Sequence, residues 1–297
     1  MEETCVIDIY GKSYYDKILR DNENVGKQEI IKAESKMKIG YIQYDVSHRR
    51  EENFRVIQHH LEENKADVVV LPELCTCGYL FESREALRKA AEPVPQGPTV
   101  NFMTELSKTH QCTIVFGLAE LEGDAVYNTA TVVHGGQYVG KYRKIHLSDF
   151  EKQFFTPGNA NGVFEIGDMK LGVQICFDLW FPEVTRQQIK QGASLLCALG
   201  NFGGETTYHI AQTRAVESLT PLVLCNRVGE EKLPELDADF LGKSSVIDAN
   251  GTRVAAAPAH LEAAGFCEID IGQKKGNVIC RNFQEEIQRH NGAIELF

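Results

Sequence analysis

The chain has 297 residues, 43% of them hydrophobic, and its 31 Lys and Arg against 42 Asp and Glu leave a formal charge of −11. That length suits one large domain or two small ones, and the acidic balance argues against nucleic acid or an anionic membrane surface as the main partner. No apolar run approaches the roughly 20 residues that span a bilayer, and Met1-Glu2-Glu3-Thr4-Cys5 lacks the basic and apolar regions of a signal peptide. A cytoplasmic location is expected, with the nine cysteines mostly free thiols. Cys75 and Cys77 stand two apart without a Cys-x-x-Cys pair or a His-rich segment, so no metal site is expected.

Residues 1–36 are of mixed charge and read as an N-terminal extension with one or two short helices, because a cleaner strand pattern, Lys38 to Tyr44, follows Met37. From His48 to Asn64, Phe54, Ile57 and Leu61 recur at helical spacing among charges, an amphipathic surface helix. Asp67 to Leu71 is a short apolar strand of the kind buried on both faces, and it ends at Pro72-Glu73. Proline does not continue a central ladder, which places Glu73 at the sheet's rim; an ordinary surface glutamate is the plain alternative.

Thr99 is expected to cap a helix reaching about Thr109, ahead of a strand from Cys112 to Gly117. Val126 to His134 and Gln137 to Tyr142 form two strands across Gly135-Gly136. Lys144 leaves the second strand in a basic cluster, where a solvated charge is the alternative to a functional ammonium. The loop from Leu147 to Gly162, which contains Glu151, is expected to line whatever lies near Lys144.

Leu171 to Ile175 has a buried-strand pattern, whereas Pro182 suits the first turn of a helix and Glu183 favours the positive end of its dipole. A sharp bend near Cys176 follows. A cysteine there is either packed away or offered as a nucleophile, with backbone N–H groups pointing at a developing oxyanion and a positive environment lowering the thiol pKa. A helix to Gln191, a strand from Ala193 to Leu199, a helix from Glu205 to Leu219 and a strand from Pro221 to Val228 come next. Asn250-Gly251 signals a type I′ hairpin, the last strand lies near Phe266 to Ile271, and residues 272–297 are left as a tail. No repeat, linker, phosphate-binding glycine loop, Gly-x-Ser-x-Gly or His-Glu-x-x-His is present, so α/β layers in a single domain are expected from Met37 onwards.

Glu73, Lys144 and Cys176 each follow a strand, and a carboxylate, an ammonium and a thiol form a working set for acyl transfer. The segments Leu71-Pro72-Glu73-Leu74, Tyr142-Arg143-Lys144-Ile145-His146-Leu147 and Gln174-Ile175-Cys176-Phe177-Asp178-Leu179-Trp180-Phe181-Pro182-Glu183 resemble, in that order, the nitrilase superfamily of carbon–nitrogen hydrolases. The resemblance spans 37–271 and implies a four-layer α-β-β-α sandwich that assembles through helix faces into homodimers or larger oligomers, with the C-terminal tail at such a surface. It implies that Glu73 is general base, Lys144 oxyanion stabiliser with the Phe177 N–H, Cys176 nucleophile and Glu151 a positioning group, with no metal or organic cofactor. Asp178 either holds an amide nitrogen or caps the turn after Cys176; Trp180 either lines the site or packs in the core. Gly200 to Glu205 departs from the tryptophan-containing stretches of relatives and leaves the pocket open. The Cys176-Phe177-Asp178 run is similar to amidase and carbamoylase branches, which implies a small carboxamide or N-carbamoyl amine as substrate. A nitrile substrate and a catalytically silent scaffold are the alternatives.

Overall fold

The computed structural model describes residues 36–272, 276, 277 and 279–289. The helices expected in residues 1–36 lie outside them, except that Lys36 already belongs to the first strand. One sheet has the order β14-β1-β2-β3-β4-β5, with β1 Lys36–Gln43, β2 Val68–Val70, β3 Thr113–Glu122, β4 Ala125–His134, β5 Gln137–Arg143 and β14 Ala263–Asp270. A second has the order β13-β12-β9-β8-β7-β6, with β6 Val163–Ile166, β7 Met169–Ile175, β8 Leu195–Gly200, β9 Leu222–Asn226, β12 Ser245–Ile247 and β13 Arg253–Ala256. At the centre of each sheet three strands run parallel, β1-β2-β3 and β7-β8-β9, and antiparallel strands flank them. Carboxyl ends of parallel strands are where open α/β sheets place their ligands.

Alternation along the strands builds the layers. Val68 and Val70 of β2 share one buried cluster with Val173, Ile175, Leu199 and Val223 of the other sheet, so the two sheets pack face to face. The intervening Val69 points the other way, into a cluster with Ile57 and Leu61 of α1 (Arg50–Glu63) and Val100 and Met103 of α3 (Pro98–His110). The second sheet is covered likewise: Leu196, Ala198 and Leu222 meet Ile189 of α4 (Pro182–Lys190) and Ala211 and Ala215 of α5 (Glu205–Ser218). The result is a four-layer α-β-β-α sandwich. A short helix, α2 (Arg84–Ala90), closes a smaller cluster over the loop after β2. None of the helices among the described residues is long and apolar enough to cross a membrane.

Three local expectations are corrected. Thr99 does not cap α3, which starts after Gly97; Thr99 is buried and donates its N–H and hydroxyl to the Glu92 carboxylate, at 2.9 and 2.8 Å. Asn250-Gly251 is not a type I′ turn, since Gly251 takes a positive φ and Asn250 does not. Asp248 instead organises the loop, its Oδ1 accepting from Asn250 N and Thr252 N at 2.8 Å each. The strand expected through Val228 ends at Asn226, and Val228–Leu233 (β10) pairs with Leu236–Leu241 (β11) as a separate hairpin. Of the tail, Phe283–Arg289 forms α6, which buries Ile287 in the α4–α5 layer of its own domain, while Gln284 Nε2 donates to Ser218 O at 2.8 Å.

Arg227 ties the β10–β11 hairpin down. Its guanidinium is buried, bonded to Glu231, to Val46 O at 2.8 Å and to Asp45 Oδ1 at 3.1 Å, and lies 4.3 Å above the Phe240 ring. Glu231 also accepts from the N–H groups of Tyr79 and Leu80, at 3.0 and 2.6 Å, so one carboxylate joins the hairpin to the loop after β2. Arg227→Met leaves that carboxylate buried without its cation and is expected to cost about 3–5 kcal/mol in urea unfolding, whereas a loss under about 1 kcal/mol would show that the clamp does not hold the fold.

Candidate active site

Glu73 sits on a loop pressed against β3. Cys75 N donates to Gly117 O at 2.9 Å and Gly117 N to Pro72 O at 3.2 Å, so Pro72 contributes its carbonyl where it has no N–H to give. A Cβ on Gly117 would stand 2.7 Å from Glu73 Cα, which is why this position needs glycine. Leu74 then turns with a φ of 48°. The outcome is a fully buried Glu73 rather than a surface glutamate.

Lys144 follows β5, and its backbone N–H continues the ladder to Asn128 O of β4 at 2.9 Å. Its side chain is 1% exposed, and Nζ donates to Glu73 Oε1 at 2.7 Å and Glu151 Oε1 at 2.6 Å. Two of the three ammonium protons are thereby used, leaving one for a ligand. Glu151 opens a 3₁₀ turn, Glu151–Gln153, and its Oε2 accepts from Ser148 N at 2.9 Å. Asn128 Nδ2 bridges the two carboxylates, at 2.6 Å from Glu73 Oε1 and 3.1 Å from Glu151 Oε1. Glu73 Oε2 is buried and has no partner among the described residues.

The cluster carries two carboxylates on one ammonium, and burial together with these neighbouring charges sets the protonation states. Burial pushes the Glu73 carboxyl up to about 7, Lys144 pulling against it and Glu151 adding to it. Glu151 goes the other way: burial opposes its charge, but Lys144 and the Ser148 N–H hold it below the usual range. Burial also opposes the Lys144 charge, and Glu151 and Glu73 outweigh it, so the ammonium persists.

Cys176 is the first residue of a 3₁₀ turn, Cys176–Trp180, between β7 and α4, and it holds a φ of 47°, a region few non-glycine residues occupy. The bend falls where the sequence places it. The expectation of a lowered thiol pKa is corrected: burial, then the Glu73 charge, push the thiol up, and Lys144 offsets this only in part. The resting sulfur therefore keeps its proton.

Asp178 is the brace of this turn. Its Oδ2 accepts from Ile175 N at 3.1 Å and the Tyr142 hydroxyl at 2.9 Å, and its Oδ1 accepts from His146 N at 2.9 Å and lies 3.0 Å from His146 Nδ1. One buried carboxylate thus ties the chain just after Lys144 to the chain just before Cys176. That is the capping alternative, and it leaves Asp178 no part in holding an amide nitrogen. Trp180 is not core: it is 43% exposed and its Nε1 donates to Thr207 Oγ1 of α5 at 3.1 Å. The Phe177 ring lies 5.2 Å from that of Phe181, edge to face.

Two residues not singled out in the sequence belong here. Asn128 shares a face of β4 with Ala130 and Val132, so period-two alternation alone marks it as a polar residue aimed inward. Tyr79 comes from an irregular loop with no such signal. Burial, then the Glu151 charge, push its phenol above the ordinary range, and Lys144, Glu73 and Cys176 act on it as well. Its ring packs 5.8 Å from Phe150 and 6.0 Å from Phe240. The eight described cysteines are free, and no metal-binding cluster of His, Cys, Asp or Glu occurs among the described residues.

A sandwich with carboxylate, ammonium and thiol gathered at strand ends defines a class, and sequence comparison agrees: residues 38–273 match the carbon-nitrogen hydrolase family. The chain belongs to that family, within the nitrilase superfamily, and is a carbon–nitrogen hydrolase. It is 39% identical over 207 residues to a nitrilase of Pyrococcus abyssi (strain GE5 / Orsay), which covers 69% of this chain and 78% of the relative. It is 32% identical over 232 residues to an N-carbamoylputrescine amidase of Solanum lycopersicum, covering 71% and 77%. Among solved structures, a carbon-nitrogen hydrolase from Helicobacter pylori G27 matches with a TM-score of 0.72 at 25% identity, over 86% of this chain and 93% of that one.

Because Asp178 satisfies donors from both sides of the site, Asp178→Ala strands them in a buried place. Calorimetry should show a Tm lower by about 5–10 °C, and an unchanged Tm would remove Asp178 from its bracing role.

Proposed function

We propose that the protein hydrolyses the non-peptide C–N bond of a small carboxamide or N-carbamoyl amine, releasing ammonia through a thioester on Cys176. The observation that carries this reading is the buried Lys144 ammonium shared by Glu73 and Glu151, within electrostatic reach of the Cys176 thiol. Glu73 accepts the thiol proton through its unpartnered Oε2 as Sγ attacks the carbonyl carbon. The oxygen that becomes negative is met by the remaining Lys144 N–H and the Phe177 backbone N–H. Glu73 returns the proton to the departing nitrogen, the C–N bond breaks, and ammonia leaves. Water then gives a proton to Glu73 and attacks the thioester; the acid departs and the sulfur recovers its proton. A carboxyl near 7 serves both directions of transfer at neutral pH. Glu151, held ionised, keeps Lys144 charged and in place.

The choice of amide over nitrile is supported by the Cys176-Phe177-Asp178 run and by the amidase name of one relative. The nitrilase name of another favours a nitrile as second reading. Action in the reducing cytoplasm, supported by the free thiols, and assembly into homodimers or larger oligomers belong to the same proposal.

Ammonia release from a panel of carboxamides, N-carbamoyl amines and nitriles tests it, and nitriles turning over at least as efficiently as every other compound would overturn the choice of substrate. Cys176→Ala should lower kcat/KM at least about 10³-fold while remaining folded; activity within about tenfold of the wild type would remove Cys176 as nucleophile. The base must be ionised to take the thiol proton, so kcat/KM should rise as pH increases through about 7 and fall below it. A profile flat from pH about 5 to 8 would contradict Glu73 as base.

A further inference from the structure

Gly200 to Glu205, the stretch that departs from the expected pattern, leaves the carboxyl end of β8, the strand parallel to β7 and next to it. It brings Asn201 beside the nucleophile: the Cys176 thiol points at the Asn201 carbonyl oxygen, Sγ to O 4.0 Å. Asn201 is 6% exposed, yet both Nδ2 and Oδ1 of its side chain are sealed from water without a hydrogen-bond partner among the described residues. A buried donor or acceptor left unpaired is destabilising, and here one side chain leaves both unpaired.

The backbone carrying Asn201 is braced. Phe202 N donates to Asn226 Oδ1 at 3.1 Å, Asn226 Nδ2 donates back to Phe202 O at 2.9 Å, and Leu241 N donates to that same carbonyl at 3.0 Å. Asn226 ends β9, the next parallel strand, and its Nδ2 also donates to Gly242 O at 3.0 Å. Two buried asparagines thus stand at adjacent strand ends with opposite patterns. Asn226 uses its donor and acceptor groups within the protein, as a structural amide does. Asn201 uses neither, on a backbone fixed from both sides, which is how a preorganised recognition group is held.

Resting on the amide-hydrolase reading above, we infer that the Asn201 side chain recognises the substrate beside Cys176, Oδ1 accepting an N–H of its carboxamide or ureido group and Nδ2 donating to a substrate oxygen. Such a group supplies a donor and an acceptor and satisfies both atoms. A nitrile or an ester supplies acceptors alone and leaves Oδ1 unpaired, so Asn201 makes the site selective for amides. Sites built to hydrogen-bond a substrate N–H reject analogues that lack it far more strongly than apolar pockets discriminate by size.

The test compares the wild type with Asn201→Leu and Asn201→Ala on two kinds of probe. One is p-nitrophenyl acetate, whose acetyl group passes to Cys176 with loss of p-nitrophenolate and no N–H to recognise. The other is a panel of primary amides and N-carbamoyl amines followed by ammonia. Amide kcat/KM should fall at least about 100-fold in both variants, whereas the nitrophenolate burst, which loses only the Nδ2 contact, should fall no more than about tenfold. Asn201→Leu, an apolar replacement of similar shape, should melt no more than about 2 °C below the wild type. Equal losses on both probes, undiminished amide turnover, or unfolding of both variants would each overturn the inference. Wild-type ammonia release is the reference: its absence from every amide contradicts the function proposed above and this inference with it, whereas wild-type turnover with unselective variants contradicts this inference alone.

Discussion

One ammonium held in the interior by two carboxylates sets the terms for the rest of the molecule. Lys144 is 1% exposed and bonds Glu73 and Glu151 within 2.7 Å, so three charges share a volume with little water to solvate them. They do not cancel. Burial first, and then the neighbouring negative charges, explain why Glu73 titrates near neutrality and why the neighbouring thiol is not a resting thiolate, while Lys144 and the Ser148 N–H keep Glu151 ionised. A thiol that gives up its proton on attack is guarded against adventitious oxidation and alkylation, which act on thiolates.

Holding that arrangement explains several local features that otherwise look costly. Leu74 and Cys176 both occupy left-handed backbone conformations without being glycine, and each lies within one residue of a member of the charge cluster or is the thiol itself. Gly117 admits the Glu73 loop onto β3, Asn128 fills the gap between the carboxylates, and Asp178 locks the Lys144 and Cys176 segments to each other. The face-to-face sheets are the reason that β2, β5 and β7, distant in sequence, end at one place.

Much of this was legible from residues alone where a pattern repeats. The continuous apolar run Val68 to Val70 and the helical spacing of Ile57 and Leu61 mark layers, and the three motif segments mark the strand ends that carry Glu73, Lys144 and Cys176. What stayed hidden depends on partners far along the chain. Asp178 reads equally as cap or ligand until Tyr142 and His146 are seen to occupy it, and the thiol's direction of shift depends on its burial and on charges drawn from three segments. The β10–β11 hairpin was hidden because Glu230, Lys232, Asp237 and Asp239 interrupt its apolar pattern; Arg227 and Glu231 anchor it instead. Tyr79 and Asn201 sit on irregular segments where spacing carries no information.

The central claim is that Glu73, Lys144 and Cys176 act together to form a thioester. Intact-mass measurement of the protein quenched in acid during turnover of an accepted amide tests it most directly. A mass increase equal to the acyl or carbamoyl group is expected, mapped to Cys176 and lost in Cys176→Ala. Ammonia release by the wild type with no such adduct at any quench time, and undiminished in Cys176→Ala, would contradict it.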